Sequence, residues 1–355
     1  MLAGACYSPT FPTGAPCDEA HPCPSALVCT RLGTCQRTDG DALDDAKPAV
    51  VDADLTDAPI DACVPTAEVC DDGIDQDCNG QDQSCAANDR PSGAVDVSAG
   101  GTFAGDLLHA NDDLPEPGCN GAGGVDVFYK VTLAAPEVVY FDTFGSTADT
   151  TVRVYPGTAC TAIFNNSNST CNTDQCNTKQ SQIAVALPSG TSCVVVDGPA
   201  LPGFGAGTLS LEVMRAGRNG SPLGTGLQTK TGDTCTATDV TRGSCGDDAG
   251  AKDVAWYFLA CPGQTRQLDA TTCTDSANTH FDTVLLVRRG GAGGGEITCH
   301  DDDALCLARP ERTDHPDLSA FSDLNLTGSK LYWLVLDGYG PVTDCGGYQL
   351  DTNLD

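Results

Sequence analysis

GVDVFYKVTL, residues 124–133, enters through glycine and runs through β-branched and aromatic residues before a break at Pro136, the composition of a β-strand. It comes back as KDVAWYFLA, residues 252–260, with Asp126 answered by Asp253 and Phe128-Tyr129 by Trp256-Tyr257. The register holds downstream. Asp149-Thr150 through Val154 and Gly157 return as Asp282-Thr283 through Val287 and Gly290. Cys119, Cys171 and Cys176 match Cys245, Cys299 and Cys306, and Gly190 to Asp197-Gly198 echoes Gly328 to Asp337-Gly338. Gly207-Thr208-Leu209 then answers to Gly347-Tyr348-Gln349-Leu350. Ordered matches of this kind mark two copies of one domain, residues 91–216 and 217–355. Short strand runs such as EVVYF (137–141), TTVRVY (150–155) and SCVVVDG (192–198), with helical periodicity nearly absent, predict an all-β chain of two tandem sandwiches.

Upstream the chain changes character. Residues 37–62 carry eight aspartates and no aromatic residue, which predicts an extended, disordered acidic linker. Before it, Cys17, Cys23, Cys29 and Cys35 fall six apart, which predicts a small cysteine-rich module over residues 7–36 held by disulfides rather than by a core. CPSALVCTRLGTC (23–35) resembles the modules found near the start of exported bacterial proteins. Leu-Ala-Gly-Ala-Cys (2–6) looks like the end of a bacterial lipoprotein cleavage site, which assigns residues 1–6 to a lipoprotein-type N-terminus with Cys6 as the lipidated residue. The alternative is that Cys6 joins the neighbouring disulfides.

Twenty-one cysteines exclude a reducing compartment and place the protein in an extracellular or outer cell-surface setting. With 18 basic and 49 acidic residues the formal charge is −31, which excludes nucleic acid and an anionic membrane face as partners. Membrane contact is left only to the lipid anchor. The two repeats hold five and seven cysteines, so either a bridge joins them or two thiols are free.

EVCDDGIDQDCNGQDQSC, residues 68–85, interleaves three cysteines with five aspartates and reads as a disulfide-pinned metal-binding loop within residues 63–90. Asp75, Asp77 and Asn79 fall at alternate positions with Gly80 next, and Asp72 and Asp82 flank them. The spacing lets a curled backbone aim several oxygens at one calcium ion; Ala86 stands where an EF-hand supplies its bidentate glutamate, so an affinity of roughly 10⁻⁴–10⁻³ M is expected. The predicted ligands are Asp72, Asp75, Asp77, Asn79 and Asp82. A purely structural acidic knot and copper are the alternatives, copper being disfavoured by the lack of soft ligands. A second, weaker set is Asp301, Asp302 and Asp303 between Cys299 and Cys306, completed by Asp282 or Asp337; its alternative is a solvated acidic loop.

Glu68, Cys70, Asp71, Gly73, Ile74, Asp75, Asp77, Cys78 and Gly80 resemble the MopE-type metal-binding motif, from a family named for a copper-binding surface protein. In each repeat, D-x-x-Y or its equivalent, D-T-x-x-x-V, the V-V-D-G strand end and G-x-L-x-L resemble the bacterial pre-peptidase C-terminal (PPC-like) domain. That resemblance implies a jelly-roll-like sandwich of eight or so strands.

No H-E-x-x-H, G-x-S-x-G or P-loop occurs, so no catalytic residue is predicted. The reading is a non-catalytic surface protein that binds an extracellular protein or glycan; the alternative is an accessory or substrate-targeting subunit of a secreted hydrolase. Core packing is the expected use of Phe128, Tyr129, Trp256, Tyr257, Tyr332 and Trp333, with one member of each adjacent pair turned outward.

Overall fold

The computed structural model describes residues 27–29, 35–37, 64–66, 68–114, 124–160, 170–198, 207–247, 250–273, 279, 281–291, 294–303, 306 and 318–355. Two compact units divide after Ala62. In the first, β1 (Leu27–Cys29) and β2 (Cys35–Arg37) form an antiparallel pair with Cys29 opposite Cys35. Cys6, the 37–62 linker and the rest of the cysteine-rich module lie outside the described residues.

The second unit holds both repeats, and both are β-sandwiches. The first is built from β3 (Val95–Asp96), β4 (Gly101–Asp106), β5 (Asp126–Leu133), β6 (Glu137–Asp142), β7 (Thr151–Pro156), β8 (Cys171–Thr173), β9 (Gln182–Leu187), β10 (Gly190–Asp197) and β11 (Thr208–Arg215). The second uses β12 (Ser221–Pro222), β13 (Gly226–Asp233), β14 (Val254–Leu259), β15 (Arg266–Thr271), β16 (Thr283–Arg289), β17 (Glu296–Asp301), β18 (Ala320–Leu326), β19 (Leu331–Gly338) and β20 (Gly347–Leu354).

The sheet orders are β3-β5-β10-β7-β8 with β4-β11-β6-β9, and β12-β14-β19-β16-β17 with β13-β20-β15-β18. Setting aside the short parallel edge strands β3 and β12, each sandwich has eight strands whose chain order alternates between two four-stranded sheets, except that the fourth and fifth pair with each other. First and last strands are neighbours in one sheet, second and seventh in the other. This is jelly-roll order, repeated strand for strand.

Alternation along each strand explains the packing. In β6, Val139 and Phe141 enter the first core beside Val127, Tyr129, Val194 and Leu211, while Val138 and Tyr140 point the other way. In β19, Tyr332, Leu334 and Leu336 enter the second core, and Leu331, Trp333 and Val335 point outward. The two outward rows meet. Val138, Tyr140 and Ala184 pack against Tyr257, Leu286, Trp333 and Val335, so the β4-β11-β6-β9 sheet of one sandwich stacks on the β12-β14-β19-β16-β17 sheet of the other. In these layers β6 and β19 are buried on both faces, which is why their sequences read as continuous apolar runs.

Polar groups lock the contact. Lys330 Nζ lies 2.7 Å from both Asp142 Oδ2 and Glu212 Oε2. Gln182 Nε2 donates to Ala260 O at 3.0 Å, and Tyr257 OH to Ala184 O at 3.2 Å. Cys176 and Cys261 form a disulfide between the sandwiches. Of the two outcomes left open by the odd cysteine counts, the bridge is the one found.

The outer face of the β5-β10-β7 layer is closed differently: Phe128, Tyr155 and Val195 form a small cluster with the Cys160–Cys193 disulfide. The outer face of β13-β20-β15-β18 is polar apart from Leu227. β20 alternates strictly, with Tyr348, Leu350, Thr352 and Leu354 buried and Gln349, Asp351 and Asn353 turned out. There Thr229 Oγ1 donates to Asp351 Oδ1 at 2.6 Å, and Asn353 Nδ2 to Asp269 Oδ2 at 3.3 Å.

The outward aromatics are covered rather than exposed. Each adjacent pair does alternate, but Phe128 turns into the covering cluster, and Tyr257 and Trp333 turn into the neighbouring sandwich. All six are buried. Among the described residues six disulfides are complete, the mark of a chain that folds in an oxidising compartment, and no helix is long and apolar enough to cross a membrane.

Candidate functional site

Residues 68–85 form no regular secondary structure, and their backbone is curled by side chains. Asp71, Gly73, Cys78 and Gly80 all have positive φ, between 57° and 92°. Gly80, at φ 92°, takes a conformation that costs a glycine little and other residues more. The Cys70–Cys85 disulfide closes the loop with its Cα atoms 5.0 Å apart, and Cys78 is disulfide-bonded as well.

Inside that frame the carboxylates divide into two groups. Asp75 Oδ1 and Oδ2 accept from the N–H groups of Asn79 and Gly80 at 3.0 and 2.7 Å. Glu68 Oε2 accepts from the Asp77 N–H at 2.8 Å, while Glu68 Oε1 is buried without a hydrogen-bond partner. Glu68, Asp75 and Asp77 each bring an oxygen within 4.8 Å of the others. These three converge.

Asp72, Asn79 and Asp82 serve the turn instead. Asp72 accepts from the Ile74 N–H and the Gln76 side chain at 2.8 and 2.5 Å, and Asp82 accepts from the Gly73 N–H at 2.8 Å. Asn79 Oδ1 accepts from the Gln81 N–H at 3.0 Å, and its amide donates to Asp77 Oδ2 at 2.8 Å. The sequence brings Asp75 and Asp77 together as expected from alternate spacing. Glu68 is the addition; its place in the motif was the available signal, seven residues before Asp75 and so outside the alternating pattern. The donor set is all oxygen and suits a hard cation. Cys70 and Cys85 stand near Asp89, but as a disulfide they are no thiolate ligands.

At the second set, Asp282, Asp301 and Asp302 offer oxygens within 4.8 Å of one another. Asp303 is not among them, and its N–H donates to Leu318 O at 3.0 Å. His300 is held by Thr298 at 2.9 Å, and Cys299 is bonded to Cys245, so no His–thiolate site exists there.

Asp337 has a different place. It belongs to a buried device present in both repeats. Asp126 and Asp197 face each other at the ends of β5 and β10, and Asp253 and Asp337 occupy the same places beside β14 and β19. Asp126 Oδ2 accepts from the N–H groups of Asp113 and Leu114 at 3.1 and 2.9 Å; Asp253 Oδ2 accepts from Val240 and Thr241 at 2.8 and 2.6 Å. The cation differs: Arg153 of β7 pairs with Asp197 at 3.0 Å, whereas Arg218, ahead of β12, pairs with Asp253. Burial, with Asp197 alongside, pushes Asp126 up to about 8; burial, with Asp253 alongside, pushes Asp337 up to about 8. These are structural acids that pin loops to strand ends.

His109 Nδ1 contacts Asp106 Oδ2 beside a cleft of about 550 Å³ that Ser84 also lines.

No protein-family model matches the chain, and no curated protein matches it. Among solved structures it is similar to a turret protein of an archaeal virus with a triple jelly-roll fold, at 12% identity over 72% of this chain and 59% of that one, with a TM-score of 0.22. It is similar also to a Paenibacillus xanthan lyase (9% identity, 72% and 25% covered, TM-score 0.21) and to the plant receptor-like kinase FER (10% identity, 72% and 88% covered, TM-score 0.20). The chain thus spans less than two thirds of the turret protein and a quarter of the lyase. The all-β, double jelly-roll architecture rests on the sheet order of the chain itself.

Proposed function

We propose that this chain is a non-catalytic, exported cell-surface protein. Its two fused sandwiches bind or display to an extracellular partner, a protein or a glycan, and its 68–85 loop is set by a calcium ion. Attachment to the surface runs through a lipid on Cys6.

The observation that carries the cation reading is the convergence of Glu68, Asp75 and Asp77 on one point, with a Glu68 oxygen that is buried and unbonded. Three carboxylates within 4.8 Å repel one another, and a shielded carboxylate oxygen without a donor is costly. A hard cation relieves both. The remaining ligands would come from backbone carbonyls and water, which favours the weak extracellular range of affinity, roughly 10⁻⁴–10⁻³ M.

Calorimetric melting of the full chain in millimolar calcium and then in EDTA tests the reading. Calcium raises the melting temperature if the loop is a cation site, by about 1–2 kcal/mol of stability at some tenfold excess over the dissociation constant. A melt that EDTA leaves unchanged removes the cation from the proposal.

A further inference from the structure

In a chain with 18 basic and 49 acidic residues, each arginine is surrounded by candidate carboxylates. Most described arginines take one: Arg153 pairs with Asp197, Arg215 with Glu137 and Arg266 with Asp355. At one place four arginines gather. Arg218, Arg242, Arg288 and Arg289 line a single cavity of about 540 Å³ where the two sandwiches join, together with Thr241 and one carboxylate, Asp239.

The four are not equivalent. Arg218 is buried and fixed: its Nη1 and Nη2 bond Thr241 Oγ1 and Asp253 Oδ1, and its guanidinium lies over the Trp333 ring, 5.5 Å from the centroid. Its Nε is buried without an acceptor. Arg288 is held by backbone alone, donating to Arg242 O at 3.3 Å and Gly294 O at 3.1 Å. Arg289, exposed at the end of β16, makes no side-chain hydrogen bond, and among the described residues neither Arg288 nor Arg289 has an ion pair. Arg288 is close enough to Arg218 for their charges to repel. Two guanidinium groups without a carboxylate partner, Arg288 and Arg289, therefore face one cavity, and the fixed charge of Arg218 stands beside them.

We propose that this cavity binds a tetrahedral oxyanion, the phosphate or sulfate ester of a small, sugar-sized molecule. Guanidinium forks match such oxygens two at a time, and the charge-assisted bonds formed are the strong ones. The volume lies within the range of small-molecule sites. Asp239 opposes the anion and weakens it; the negative charge of the whole chain makes binding depend on this local reversal rather than on steering. The site stands whether or not the 68–85 loop holds a cation.

Isothermal titration of the full chain with inorganic phosphate, inorganic sulfate, glucose 6-phosphate, glucose 6-sulfate and glucose tests it. At least one ester binds saturably and glucose does not; the preferred ester identifies the source of the anion. Arg288→Gln with Arg289→Gln, two positions without ion pairs, weakens that binding roughly tenfold or more at an unchanged melting temperature, and Asp239→Asn strengthens it. The proposal is overturned if no oxyanion probe binds, if glucose binds as tightly as its esters, or if the double variant and Asp239→Asn both retain the parent affinity.

Discussion

Cys176, just beyond β8, is disulfide-bonded to Cys261, just beyond β14, and so joins the first sandwich to the second across 85 residues of sequence. A cross-link of that span restricts the unfolded chain by about 4.5 kcal/mol. Cys176→Ser with Cys261→Ser should lower stability by roughly that amount in denaturant melts. The apolar contact around Trp333 and Tyr140 remains, so the two sandwiches should still unfold in one transition. Two separated transitions would mean that the disulfide alone couples them.

Lys330 reaches across the same contact to Asp142, which is 1% exposed and also accepts from Tyr140 OH at 2.8 Å. Lys330→Met leaves that carboxylate buried without its cation and should cost about 3 kcal/mol. Lys330→Met with Asp142→Asn should recover much of the loss. A double-mutant cycle by urea denaturation measures the coupling, and simple additivity would contradict the pairing.

Asp126 and Asp337 hold protons up to about pH 8 in the folded chain, whereas an unfolded aspartate releases its proton near pH 4. Their folded affinity for the proton is raised, so the stability they contribute is fully present below about pH 4 and is lost as pH climbs through about 8. Asp126→Asn should flatten this part of the pH dependence, read from urea midpoints between mild acid and pH 9. A slope unchanged by the substitution would place the titration elsewhere.

The calcium response should follow the converging carboxylates rather than the whole acidic run. Glu68→Gln and Asp75→Asn should abolish most of the calcium-induced rise in melting temperature. Asp72→Asn, which alters only an acceptor for Ile74 and Gln76, should keep it. Equal loss in all three would favour a diffuse acidic knot.

The repeat made the fold legible because jelly-roll strands carry their own punctuation: Asp126 and Asp253 open a strand, and Asp197-Gly198 and Asp337-Gly338 end one. Stacking of the sandwiches was not legible. Val138 and Tyr140 belong to a second layer contact, yet in sequence they continue the apolar run of Val139 and Phe141. Cys176 and Cys306 match in the repeat but pair differently, with Cys261 and Cys273, because a sequence register says nothing about which edge faces a neighbour. In the loop, alternate spacing found Asp75 and Asp77, while Glu68 arrives through a backbone curl that no periodicity encodes. Asp337 reads as one more acid, and only its burial beside Asp253 sets it apart.

The contact between the sandwiches is head-to-tail: a face of the β4-β11-β6-β9 type meets a face of the β14-β19-β16-β17 type. Such a contact has no closing symmetry, and repeated from molecule to molecule it would grow into a fibre. Growth needs an apolar face left over at each end. Here one end is roofed by the Phe128 cluster, and the other carries Gln349, Asp351 and Asn353. The apolar strip that joins the two sandwiches is therefore not repeated on the outer face of either.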